Sequence, residues 1–185
     1  MEKGKIIILN GASSSGKTTL AKALQDRMDD LTYILSLDDF LTMIGLKKYE
    51  ESIQNRINLY ETMQYTIQLL SDRGRNVIVD TVYLDGEYDT AVLKGFACLL
   101  ISNPVLFLRI ECEVQELERR ERQRGDRPIG QAKYQSEHMH GYNIYDAIID
   151  TSKSDLDVCI EQILVMLDRQ NEWVAFNKLA NISIS

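Results

Sequence analysis

The sequence predicts an α/β fold, a three-layer sandwich with helices on both faces of a five-stranded parallel sheet. Short, wholly apolar runs alternate with longer segments of helical periodicity along the 185 residues. The runs are continuous rather than alternating, as strands covered on both faces require. The first of them opens onto a loop of small residues and then a helix.

In order, residues 5–10 (Lys-Ile-Ile-Ile-Leu-Asn) read as the first strand, 11–18 as the small-residue loop and 19–24 as the start of the first helix. Residues 32–37 form a second strand that delivers Asp38 and Asp39 at its end. A long helix is expected over residues 50–72, with Ile53, Ile57, Tyr60, Met63, Ile67 and Leu70 as its core stripe and Gly74 just beyond. Residues 76–80 and 104–110 are apolar strands, with a helix near 88–99 between them. A charged helix follows over 113–124, then a Gly/Pro-punctuated segment to residue 130, a helix near 131–140 and a fifth strand at 146–150. The last readable element is an amphipathic helix over 154–169, with Leu156, Ile160, Ile163, Leu164 and Leu167 facing inward. Beyond residue 171 the pattern carries no signal.

Composition narrows the function classes. Hydrophobic residues make up 44% and charged residues 26%, ordinary for a soluble globular chain, and no Pro/Gly/Ser-rich linker divides it, so residues 1–185 are expected to form one domain. No run is long enough to span a bilayer and no signal-peptide pattern opens the chain, which predicts a cytoplasmic protein without a membrane partner. Cys98, Cys112 and Cys159 are widely spaced and form no CxxC pair, so they are expected to be buried thiols. A formal charge of −7 argues against nucleic acid as a general partner.

The loop carries the chemistry. Gly11-Ala12-Ser13-Ser14-Ser15-Gly16-Lys17-Thr18 satisfies G-x-x-x-x-G-K-[ST] and stands between a buried strand and a helix, the context in which backbone N–H groups converge on a polyphosphate. Lys17 is expected along the β- and γ-phosphates and the Thr18 hydroxyl on Mg²⁺. Asp38 follows the second strand and Asp80 ends the third, and in a parallel sheet both would project into the same crevice, where Asp80 fits a metal-holding acid and Asp38 a base for an attacking hydroxyl. Asp39 reads equally as a helix-capping residue. Phe40, Leu41, Met43, Ile44 and Tyr49, with Tyr83 and Leu84, suggest an apolar acceptor cleft. Arginines 119, 120, 122, 124 and 127 crowd the later chain. Glu116 to Arg120 and Glu118 to Arg122 are (i, i+4) pairs on a solvated helix, whereas Arg124 and Arg127 flank Gly125 in a lid-like context suited to gripping a phosphoryl group. The H-x-H of His138 and His140 lacks a third metal ligand, which favours a structural or substrate-contact role.

These motifs together resemble the chloramphenicol phosphotransferase-like family of P-loop kinases. The resemblance rests on Ile7-Ile8-Leu9-Asn10-Gly11 entering Ser13-Ser14-Ser15-Gly16-Lys17, on Asp38, Val79-Asp80 and Arg124-Gly125-Asp126-Arg127. It continues through Gly130, Gln135, His140, Tyr145-Asp146 and Asp150-Thr151. It implies a nucleotide-kinase-like P-loop NTPase fold and an ATP-dependent enzyme that moves the γ-phosphoryl group to a hydroxyl of a small molecule, an antibiotic among the candidates. It further implies Asp38 as base, Lys17 with Arg124 and Arg127 at the transferring group, and Gly11 through Thr19 on ATP. Arg120 joins Arg124 on the nucleotide, within a lid-like segment near residues 119–133, and Thr18 and Asp80 hold Mg²⁺. A nucleotide, coenzyme or polynucleotide-end kinase and a regulatory ATPase that transfers phosphate only to water remain the alternatives.

Overall fold

The computed structural model describes residues 2–125, 128–139 and 144–182. Five parallel strands form one sheet in the order β2-β3-β1-β4-β5: β1 (Ile6–Gly11), β2 (Thr32–Ser36), β3 (Asn76–Thr81), β4 (Val105–Glu111) and β5 (Ala147–Asp150). The helices are α1 (Lys17–Arg27), α2 (Leu37–Ile44), α3 (Leu46–Glu51), α4 (Ile53–Asp72), α5 (Glu87–Leu99), α6 (Val114–Arg124), α7 (Gln131–Glu137), α8 (Leu156–Leu167) and α9 (Ala175–Ala180).

Strand β1 is paired on both sides, and every one of its residues is buried. Its side chains therefore alternate between two apolar layers. Ile6 and Ile8 pack with Met63 and Ile67 of α4, Phe96 of α5 and Phe176 of α9. Ile7 and Leu9 pack with Leu20 and Leu24 of α1 and with Ile160 and Ile163 of α8. Full burial of each such side chain contributes about 1.5–3 kcal/mol, so the centre of the sheet is the best-anchored part of the chain.

The structure departs from the expected elements at identifiable places. The helix expected over residues 50–72 is broken at Ser52, whose extended backbone (φ −157°, ψ 153°) lets its hydroxyl accept the Asn55 amide at 3.1 Å. That bond satisfies an otherwise orphaned N–H and starts α4 afresh. Ile53 is consequently 58% exposed, and the buried stripe begins at Leu59 and Tyr60. The helix expected to reach residue 140 ends at Glu137; Met139 instead bridges Leu84, and residue 140 lies outside the described residues. Leu156 is exposed at the start of α8, its place on the inner face taken by Cys159. Cys112 and Cys159 are buried as expected, whereas Cys98 is exposed.

The stretch beyond residue 171 also folds back. Phe176 of α9 meets Phe107 and Phe96 edge-on, at centroid distances of 5.2 and 5.5 Å. Asp146 fastens this helix: Oδ1 accepts the Val174 and Ala175 amides at 2.7 and 2.9 Å, while Oδ2 accepts the Phe107 amide at 2.9 Å. Hydrogen bonds to a charged group contribute about 1.5–3 kcal/mol each, and unpairing the amides adds to their loss. Asp146→Ala is therefore expected to lower unfolding stability by about 2–4 kcal/mol in urea titrations. An unchanged midpoint would mean that α9 docks through its apolar face alone.

Candidate active site

The loop between β1 and α1 owes its path to close packing. A Cβ on Gly11 would stand 2.6 Å from the Ile110 carbonyl oxygen, and Gly16 takes φ +93°, so both positions demand glycine. Ser14, with φ 61°, holds a left-handed conformation without that freedom. The Lys17 side chain is nearly buried: Nζ donates to the Ala12 carbonyl at 2.8 Å and lies 3.7 Å from Asp80 Oδ1. The Thr18 hydroxyl donates to Asp80 Oδ2 at 2.6 Å.

Other elements brace this loop. Gln135 of α7 accepts the Ser13 amide on Oε1 at 2.7 Å. Thr151, just after β5, donates its hydroxyl to the Ser15 carbonyl at 2.6 Å. Arg120 of α6 holds Thr151 in turn, through its hydroxyl at 3.3 Å and its carbonyl at 3.1 Å.

A cleft of about 770 Å³ runs over the loop along the carboxyl ends of the strands. Ser13, Ser14, Gly16, Lys17, Thr18 and Thr19 form its floor. Asp38, Asp80 and Thr81 also line it, as do Arg120 and Arg124 of α6. Gly11 ends β1 beneath Ile110, and Ala12 and Ser15 border a smaller cavity of about 220 Å³ behind the loop. Arg127 and His140 lie outside the described residues.

Asp38 and Asp39 occupy the first turn of α2 rather than the end of a strand. Asp39 is engaged as a cap: its Oδ2 accepts the Ser36 hydroxyl at 2.6 Å and the Ser36 amide at 3.2 Å, while Ser36 Oγ accepts the Asp39 amide, a capping box. The expected apolar acceptor wall does not form. Phe40 and Tyr83 belong to the core, Met43 is 73% exposed, and neither they nor Ile44 and Tyr49 line the cleft. The aromatic residues went into the core because α4 and α5 leave a layer there to be filled, with Tyr60 tilted against Tyr83 at 6.3 Å.

The arginines of α6 divide between surface and cleft, and Arg120 does both, pairing with Glu116 while lining the cleft. Arg119 and Arg122 pair with Glu116 and Glu118 at the surface. Bonds from Arg119 and Arg120 pull the Glu116 carboxyl down to about 2.

Two further residues, given no role by the sequence motifs, also shape the site. Asn10 is fully buried, accepts the Tyr83 amide at 2.7 Å and donates to the Tyr145 hydroxyl at 2.8 Å, tying the loops after β3 and before β5 to the end of β1. Glu121 is fully buried in a helix that reads as solvated, and it accepts the Gly130 and Ala132 amides at 2.7 and 2.8 Å. Its place four residues after Leu117, on the helix's apolar face, was the available clue.

Thr18 and Asp80 offer two hard oxygen atoms side by side at the loop. No group of three or more His, Cys, Asp or Glu among the described residues could hold a metal on its own. Such a pair fits Mg²⁺, which is held by one or two protein oxygens together with phosphate oxygens.

A parallel sheet whose first strand runs into a phosphate-cradling loop, with an acid near the end of the adjacent strand, defines a nucleotide-binding phosphotransferase of the P-loop class. The chain belongs to the chloramphenicol phosphotransferase-like family, whose model matches residues 4–168. It is 26% identical over 205 aligned positions to Rv2636 of Mycobacterium tuberculosis strain H37Rv, assigned by name as an O-phosphotransferase, covering 97% of this chain and 89% of the relative. A cytidine diphosphoramidate kinase of Campylobacter jejuni is 30% identical over 123 positions, 63% of this chain and 65% of that protein. In fold, the chain is similar to the APS kinase CysC of Mycobacterium tuberculosis, at a TM-score of 0.68 and 17% identity over 91% of this chain and 99% of the other. A gluconokinase from Sinorhizobium meliloti gives a TM-score of 0.64 at 17% identity over 96% and 97%.

The turn after β5, which sets Thr151 against the loop, is held by Asp150: Oδ1 takes the Ser152 amide and hydroxyl at 2.9 and 2.6 Å, and Oδ2 meets Lys153 Nζ at 2.8 Å. Burial pushes this carboxyl upward, but the bonds from Lys153 and Ser152 outweigh it and bring the value from 3.8 down to about 2. A depressed folded-state value stabilises the fold above the unfolded value and is lost as pH falls through the folded one. The stability gap between wild type and Asp150→Asn is therefore expected to be full near pH 6 and to close between about pH 4 and pH 2. Denaturation midpoints across that range measure it; a gap that stays constant would assign the turn's stability to its neutral hydrogen bonds.

Proposed function

We propose that this protein transfers the γ-phosphoryl group of ATP to a hydroxyl group of a small molecule. The reading is carried by the Thr18–Asp80 contact of 2.6 Å beside Lys17, opening onto the same cleft as Asp38. Lys17, Arg120 and Arg124 supply fixed positive charge where charge spreads over the phosphoryl oxygens, and a guanidinium suits that role through its planar fork of donors. Arg127 is assigned to the same grip through the family resemblance. In the transfer, the acceptor oxygen forms a bond to the γ-phosphorus, the bridging bond to the β-phosphate breaks, and the acceptor's proton passes to the Asp38 carboxylate. Mg²⁺ held by Thr18 and Asp80 would neutralise charge on the phosphate oxygens.

Asp38 and Asp39 reach the cleft from the β2 and β3 side of β1, whereas Arg120 and Arg124 come from α6, which follows β4 on the other side. This favours a neutral or cationic alcohol over an acceptor that already bears a phosphate, for which bidentate guanidinium contacts are the usual grip. Antibiotic alcohols such as chloramphenicol fall within that class. A nucleotide-linked acceptor is the second reading, favoured by the relative named as a cytidine diphosphoramidate kinase. Mass spectrometry after incubation with ATP, Mg²⁺ and a panel of amino alcohols, sugars, antibiotics and nucleotides separates the two. Preferred turnover of a nucleoside monophosphate would overturn the first.

Lys17→Ala is expected to lower phosphotransfer by at least ~10²-fold in a folded protein, the scale of losing one fixed donor from a developing anion. Asp38→Asn should lose kcat while its ATP affinity, measured by titration calorimetry, stays near wild type. A variant whose main defect is weak ATP binding would move Asp38 to a nucleotide or metal role.

A further inference from the structure

Glu121 has no exposed surface, although the other acids of its helix, Glu116 and Glu118, pair with arginines at the surface. A carboxylate taken out of water is costly unless its oxygens are bonded. Here each oxygen accepts a separate backbone amide from the start of α7: Oε2 that of Gly130 at 2.7 Å and Oε1 that of Ala132 at 2.8 Å. Ala12 of the phosphate loop, Cys112, Leu117 of α6 and Ala132 of α7 pack together as a small apolar cluster at this joint. From there α7 carries Gln135 to the Ser13 amide at 2.7 Å, while α6 presents Arg120 and Arg124 to the cleft.

We infer that Glu121 is a positioning residue for phosphoryl transfer: it locks α7 onto α6, so that Gln135 holds the phosphate loop at Ser13 while the two arginines face the cleft. The inference rests on the phosphotransfer reading, but the mechanical link it names is observable apart from it. The carboxylate is suited to the task because it is an acceptor at both ends. A glutamine of the same size would turn its NH₂ toward one of the two N–H groups, and one bond would become a donor–donor conflict.

Glu121→Gln is therefore the informative variant. Its kcat should fall roughly 10- to 100-fold, the scale of misplacing a group by about 1 Å, with the KM for ATP changed no more than about threefold. In a ¹⁵N-labelled sample, the Ser13 amide signal should move toward its position in Gln135→Ala. In the double variant kcat should be no lower than in the worse single variant, because both changes cut the same link. A Ser13 signal that stays in place in folded Glu121→Gln, or losses that multiply in the double variant, would overturn the inference. Should Glu121→Gln not fold, hydrogen exchange in the wild-type chain decides: Gly130 and Ala132 amides as slow as the interior of α6 support the link, and exchange as fast as an exposed loop overturns it. Absence of phosphotransfer in the wild type would remove the functional reading and leave the link to be judged on the amide signals.

Discussion

The register between β1 and β3 underlies the site. Leu9 pairs with Asp80 across two adjacent parallel strands, so the loop that leaves β1 and the acid near the end of β3 arrive at the same height. A slip of one residue would turn Asp80 toward the opposite face of the sheet, since side chains alternate with a period of two. The Thr18–Asp80 contact and the nearness of Lys17 to the same carboxylate then require no further device. The register itself is held by burial, because β1 and the apolar part of β3 place side chains in both layers of the core.

Above that floor the cleft is polarised. Acids gather where β2 and β3 end, and arginines approach from α6, beyond β4 on the other side of β1. The strand order produces this separation: the chain places β2 and β3 on one side of β1 and then crosses to lay β4 and β5 on the other. A crevice of this kind, outside the carboxyl ends of strands where their order reverses, is where ligands bind in open α/β sheets. The acids after β2 and in β3 and the arginines of α6 thus reach the cleft from opposite sides of β1.

The loop's shape depends on contacts from distant parts of the chain. Gly11 is pressed against Ile110 of β4, Ser13 is held by Gln135, and Ser15 by Thr151. Such bracing suits a loop with a left-handed serine at position 14, since a sparsely populated conformation persists only where the surroundings impose it.

The sequence by itself determined the architecture and the floor of the site. Continuous apolar strands need cover on both faces, and G-x-x-x-x-G-K-[ST] has few uses besides cradling phosphate; these are local or periodic constraints, legible in one dimension. Only the tertiary structure decided what depends on who meets whom. Ser52 divides a helix whose periodicity runs on unbroken, because its hydroxyl can satisfy a freed amide. Phe40 and Tyr83 fill the core instead of lining a cleft, because a layer between α4 and α5 had to be filled and burial draws large side chains wherever there is room. The tail forms α9, too short for periodicity to reveal, once Asp146 and two phenylalanines give it a surface. Glu121 turns inward in a helix rich in exposed charge, because two backbone amides of α7 wait there for an acceptor, and no pattern along the chain records where those amides lie.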